Sequence, residues 1–239
     1  MDAGRRWALE IFGAYGPRIR EEIPQLVTAE HEASSDAQDA SGHRSKGVYG
    51  EYWRGILERF ERFGDLPGSA LVRPGRAPYR VPVVNGVALF PWRPGSNFDA
   101  GLASTPFGTS DSRIALSRIQ PPPVQGVLDI DLPDTGLTEE ERKFLDTCRT
   151  ITEDPEVTSG RLVLVAIGSS MSGLSSLRWG EVVLTPNKCL DWIGFRESLL
   201  SLPVSRPVST SPTRTFTSGA VPSKFPAATA EEAGGRNDE

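Results

Sequence analysis

Ser170 lies at the centre of a glycine-serine turn that could carry nucleophilic chemistry. The turn GSSMSG, residues 168–173, follows the apolar run RLVLVAIG. A catalytic serine needs small neighbours, because its backbone is strained and its hydroxyl must stand clear of the strand before it. The spacing therefore makes Ser170 a candidate nucleophile for acyl transfer.

This turn resembles the nucleophile elbow of the α/β-hydrolases, in which a strand ends in Gly-x-Ser-x-Gly and a helix begins. Ser172 stands where that pattern has its second glycine, and Gly173 comes one position later. The resemblance implies a histidine after the serine as the general base. Both histidines, His31 and His43, precede it. We therefore interpret the turn as a tight exit from a central strand.

An acidic cluster further upstream is a candidate metal site. Asp129, Asp131 and Asp134 stand close together, with Glu140 beyond them, as in a calcium-binding loop. The fifth position of such a loop supplies an oxygen ligand, and here it is Pro133. A cation held by Asp129 and Asp131 stays a hypothesis. Acidic side chains that precede a helix also interact favourably with its dipole.

A nuclease is the alternative function. The predicted order of helix, three strands, helix and strand is compatible with restriction-endonuclease-like nucleases, whose carboxylates and lysine hold a metal that activates water. The matching triplet, Glu141-Arg142-Lys143, lies at the start of a predicted helix. On this alternative, Mg²⁺ or Mn²⁺ would bind a diverged phosphodiesterase site around Asp129 and Asp131.

Arginine and aromatic residues occur together in the segment between Asp65 and Asp99, which contains no acidic residue. Guanidinium groups beside aromatic faces can hold phosphates or stacked bases. They can equally pair with acidic helix faces across the fold. The candidate binding residues are Arg73, Arg76, Arg80, Trp92 and Arg93.

Composition bounds the class of protein. The chain has 239 residues and a net charge of −5, which argues against a protein that coats nucleic acid through bulk charge. Two cysteines and two histidines provide neither a disulfide framework nor a zinc site of the usual spacing. No long apolar run suggests a signal peptide or a membrane span, so we expect a cytoplasmic protein. The bias toward arginine over lysine is typical of GC-rich coding sequences and carries little functional information. We expect a bacterial-type protein.

The predicted fold is α+β (mixed α/β), a single domain with a central sheet of about five to six strands covered by helices. The predicted regions are N-terminal helices at 1–30, a flexible linker at 31–47, an α+β core at 48–200 packed with 1–30, and a disordered tail at 201–239. The tail is rich in Pro, Ser and Thr, and cannot bury enough apolar surface to offset its ordering entropy.

Several elements carry local signals. Asn85-Gly86 between VPVV and VALF predicts a hairpin, and the prolines at 82 and 91 should then lie at sheet edges or strand ends. Thr138 and Glu141 form a capping box. Helices are predicted at 48–64, 137–151 and 189–200, and strands at 113–119, 126–132, 161–168 and 181–184.

These patterns favour a binding or accessory protein without catalytic activity or a cofactor. Its partner would be nucleic acid or another protein, contacted through the arginine-aromatic hairpin. The sequence leaves the oligomeric state open.

Overall fold

Six strands form one mixed sheet in a computed structural model that describes residues 1–95, 101–119, 136–151 and 160–200. The strands are β1 (Ser69–Val72), β2 (Val81–Val84), β3 (Val87–Gly95), β4 (Arg161–Ser170), β5 (Gly173–Leu184) and β6 (Leu190–Ser198). They lie side by side in chain order. The predicted fold class is confirmed. The predicted tail and the predicted strand at 126–132 lie outside the described residues.

The centre of the sheet is a parallel pair, β3 with β4, and every other neighbouring pair is antiparallel. β4 is buried on both faces, as its apolar sequence predicts. Its odd-numbered residues Val163, Val165 and Ile167 join one core, on what we call the first face. Its even-numbered residues Leu162 and Leu164 join a second core, on the second face. The sheet therefore separates two apolar layers.

Helices cover both faces. They are α1 (Ala3–Phe12), α2 (Gly16–Ser41), α3 (Gly47–Gly50), α4 (Tyr52–Glu61), α5 (Asp111–Leu116) and α6 (Glu139–Ile151). Residues of α1, α2 and α4 fill the first core around Trp179, while Leu116 of α5 and Phe107 fill the second. The capping box of α6 is confirmed: the Thr138 amide donates to Glu141 Oε2 at 2.8 Å.

The expected linker at 31–47 is corrected by the structure, in which residues 31–41 continue α2. This half of the helix needs no large apolar residue, because Ser34 and Gln38, one turn apart, are its buried positions. The Gln38 amide nitrogen donates to the carbonyl oxygens of His43 and Ser45, and its oxygen accepts from the Tyr49 amide. One buried side chain thus orders the connection to α3.

Two further segments differ from the predicted secondary structure. Residues 113–119, predicted as a strand, belong to α5 and the turn after it, because the Ser110 hydroxyl caps the helix by accepting from the Arg113 amide. The predicted helix at 189–200 is wrong: Leu190–Ser198 form edge strand β6, whose side chains alternate between the two faces.

The predicted hairpin at Asn85-Gly86 is confirmed, and both residues have the positive φ that its tight turn requires. The sheet-edge alternative for Pro82 and Pro91 is wrong, because β2 and β3 are internal in the strand order; Pro82 lies one residue from the start of β2, and Pro91 lies within β3. The β2–β3 ladder nevertheless spans only residues 83–84 and 87–88. Each proline therefore lies on a stretch that pairs with only one neighbouring strand, Pro82 with β1 and Pro91 with β4.

Candidate anion-binding surface

The structure does not bring the five predicted binding residues onto one surface. Trp92 and Arg93 are successive residues of β3, so their side chains leave opposite faces of the sheet. The Trp92 ring is buried in the second core, 5.1 Å from the Phe107 ring centroid. Arg93 lies on the first face, over the rings of Tyr49 and Tyr52.

Arg80 is paired within the fold. Its guanidinium forms an ion pair with Glu61 at the end of α4, and this pairing raises the pKa of Arg80. The arrangement matches the second interpretation of the arginine-rich segment, in which its charge neutralises an acidic helix face. Arg80 is therefore not included among the candidate ligand-binding residues.

Arg73 and Arg76 lie on the exposed connection between β1 and β2. The tip of this connection packs on α5, since a Cβ added to Gly75 would lie 3.6 Å from the Ala115 Cβ. This contact brings two further arginines to the same side of the molecule: half-buried Arg113, and exposed Arg118, one turn beyond Ala115. We call these four residues the arginine surface: Arg73, Arg76, Arg113 and Arg118.

The exposed members of this surface have no ion-pair partner among the residues that the structure describes. Within the described ranges, Arg73, Arg76 and Arg118 make no salt bridge with a carboxylate. Other exposed arginines do: Arg18 pairs with Glu22 across one helical turn. In the described part of the chain, this contrast distinguishes three exposed arginines on the second face, which lack a carboxylate partner, from the paired arginines elsewhere.

An aromatic row backs the arginine surface. The half-buried Tyr79 ring lies 5.9 Å from Phe90, and Phe90 lies 6.0 Å from Phe107. The Arg113 guanidinium lies 5.5 Å from the Phe107 centroid. Burial raises the pKa of Tyr79, and the positive charge of Arg113 opposes that shift. Arginine and aromatic side chains do meet here, although they are not the pair that the sequence suggested.

A second polar group, the Ser169 cluster, lies at the carboxyl ends of β3 and β4. It consists of Ser169, Arg93, Tyr49 and His31. Arg93 donates from Nε to Ser169 Oγ at 2.8 Å and from Nη2 to the Ser169 carbonyl oxygen at 2.9 Å. The Tyr49 hydroxyl lies 3.1 Å from Ser169 Oγ and 3.0 Å from His31 Nδ1.

This series of two hydroxyls and an imidazole could not be predicted from the sequence. His31 and Ser169 are far apart along the chain, and α2 brings them together in the fold. A serine, a tyrosine and a histidine in hydrogen-bonding series can pass a proton. Ser169, however, is 0% exposed, so no substrate carbonyl reaches its oxygen in this arrangement. The cluster instead ties α2 and α3 to the ends of the parallel strands.

Ser170 is not at the start of a helix. It ends β4, and two turn residues lead directly into the antiparallel strand β5. The Ser172 amide donates to Ser170 Oγ at 3.2 Å, and the Ser170 carbonyl oxygen accepts from the Tyr49 hydroxyl. The interpretation of this segment as a tight exit from a central strand fits these contacts, and the exit is a hairpin.

The Ser169 cluster predicts a pH dependence. Burial lowers the pKa of His31 below 6.5, and the positive charge of Arg93 adds to this against an opposing effect of Glu32. The unfolded chain therefore binds a proton at His31 before the folded chain does. The free energy of unfolding should fall as the pH drops through and below that value, and stay unaffected by this group above it.

Urea unfolding at about pH 8 and about pH 5 tests this. His31→Gln should reduce the stability difference between the two conditions. The control His43→Gln removes an exposed imidazole and should retain the wild-type difference. Equal behaviour of the two variants would contradict the assignment.

Candidate metal ligands fall mostly outside the described residues, where Asp129 and Asp131 both lie. Across the described ranges, no group of three or more His, Cys, Asp or Glu side chains is placed to hold a metal ion. Glu141, from the triplet considered for a nuclease, accepts from the Arg5 guanidinium and the Thr138 amide. Those contacts lower the pKa of Glu141 and give its carboxylate a structural role at the start of α6.

Comparison with known proteins gives no family. No protein-family model, no curated protein and no solved structure matches the chain. In the described ranges, none of the helices has the length and apolar character needed to cross a bilayer. The arginine surface and the Ser169 cluster are therefore the two features of the described residues that bear on function.

Proposed function

We propose that this protein binds the phosphate backbone of a nucleic acid on the arginine surface. The observation that carries the proposal is the placement of Arg73, Arg76 and Arg118, exposed and without carboxylate partners in the described residues, on two segments that pack together. A planar guanidinium donates two parallel hydrogen bonds to phosphate oxygens, and it keeps its charge at any physiological pH.

The proposal accommodates the acidic net charge of −5 because the positive charge is local. On the first face, exposed arginines such as Arg54 and Arg62 are neutralised by Glu51 and Glu22. Counterion release requires only that the contact surface be positive, and the remainder of the protein keeps bulk association weak.

Binding of a fluorescent oligonucleotide, measured by anisotropy across a salt series, tests the proposal. We expect affinity to fall linearly with salt on logarithmic axes. The triple variant Arg73→Gln, Arg76→Gln, Arg118→Gln should bind far more weakly. The slope of log affinity against log salt should become less steep by about 2, which is about 0.7 for each single-strand phosphate contact removed.

The matched control carries the same charge change on the other face, as Arg18→Gln, Arg54→Gln, Arg62→Gln. It should retain nearly all of the affinity and the slope. Absence of binding at low salt, or an equal loss in both triple variants, would overturn the proposal.

A further inference from the structure

We infer that the nucleic acid on the arginine surface is single-stranded and that one of its bases stacks on Tyr79. The inference rests on the proposed function and names its ligand class. Tyr79 is the outermost ring of the aromatic row, half-buried against Phe90, and the connection that carries Arg73 and Arg76 leads directly into it.

Guanidinium groups lie at both ends of this region. Arg76 precedes Tyr79 by three residues on the same connection, and Arg113 lies 5.5 Å from the Phe107 ring of the same aromatic row. Single-strand binding sites combine cationic contacts to the backbone with an aromatic platform for a base. In a duplex the base faces are already stacked, so a ring among phosphate-binding groups adds nothing to duplex affinity.

The packing behind Tyr79 makes the platform rigid. Phe90 lies in the second core between Tyr79 and Phe107, and Phe107 is fixed by its amide, which donates to the Lys188 carbonyl oxygen at 2.8 Å. A ring held in this way loses little conformational entropy when a base stacks on it.

Two substitutions of Tyr79 distinguish the contribution of its ring to binding from that of its hydroxyl. Tyr79→Phe keeps the platform and should leave single-strand affinity within about 2-fold, whereas Tyr79→Leu keeps the contact with Phe90 and should lower it by about 5- to 100-fold. Binding of a duplex with equal phosphate number should be unchanged by Tyr79→Leu. Thermal unfolding of each variant establishes that the fold is intact.

An abasic oligonucleotide, which keeps the phosphates but lacks the bases, gives the complementary test. Wild-type protein should bind it more weakly than the complete strand, and Tyr79→Leu should bind both equally. If Tyr79→Leu lowers single-strand and duplex affinity alike, or lowers neither, the stacking inference is overturned. The proposed function then still stands, provided that the triple arginine variant loses binding; if wild-type protein binds no oligonucleotide, both fall.

Discussion

Glu197→Gln should lower the free energy of unfolding by about 2 kcal/mol, because it removes the bidentate charge partner of a buried guanidinium and leaves that guanidinium only the exposed carboxylate of Asp2, at 3.1 Å. Arg20 of α2 is 9% exposed and donates to Glu197 from Nε at 3.0 Å and from Nη2 at 2.5 Å. The same carboxylate accepts from Trp179 Nε1 at 3.0 Å. The pair therefore fastens α2 to the outer strands of the sheet.

The control for this prediction is a second bidentate pair, Arg161 with Glu181, on β4 and β5. Its arginine is 39% exposed, so Glu181→Gln should cost only about 1 kcal/mol or less. Urea denaturation of both variants gives the comparison. Equal costs would show that burial of the Arg20 pair contributes no additional stability.

Trp179→Ala should destabilise the fold by about 3–5 kcal/mol, since it opens a cavity in the first core by removing a large, fully buried side chain. Trp179 is 0% exposed and lies 4.8 Å from the Trp7 ring centroid and 5.9 Å from that of Phe12. Trp53→Ala is the matched control, because that ring is 39% exposed and should cost about 1 kcal/mol at most.

Unfolding in both tryptophan variants is best followed by far-ultraviolet circular dichroism, because each loses a fluorophore. A cost for Trp179→Ala close to that of Trp53→Ala would contradict the described packing. The effect of Trp179→Ala should not add to that of Glu197→Gln, because their side chains share a hydrogen bond.

Elements with purely local causes could be predicted from the sequence. Asn85-Gly86 specifies its turn because both positions tolerate positive φ. β4 is apolar at odd and even positions because cores lie on both of its sides. The capping box at Thr138 and Glu141 is fixed by residues three apart.

Two segments, β6 and residues 31–41, differ from their predicted structure because their sequence patterns are ambiguous. In β6, Leu190 and Ile193 are three residues apart, which is also a helical spacing. The structure shows a strand instead, because Leu190 packs in the second core whereas Phe195 packs against the first core on the opposite face. Residues 31–41 lack large apolar side chains, so nothing local indicates that Gln38 is buried. Tertiary contact decided both cases.

The candidate site was predictable only in part. Arg73 and Arg76 are exposed on a loop, as a glycine- and proline-rich segment suggests. Arg113 and Arg118 were missed because they were placed on a strand, and the meeting of His31 with Ser169 through Tyr49 has no sequence signal. Such a contact exists only after α2 crosses the sheet.

The lone parallel pair at the centre of the sheet bears on the folding pathway. β1 to β3 and β4 to β6 are each closed by short connections, so each trio can assemble early and locally. Joining β3 to β4 requires loop closure across the long crossover from Gly95 to Arg161, which delays that step. The two trios should acquire hydrogen-exchange protection first, and their docking should limit the rate.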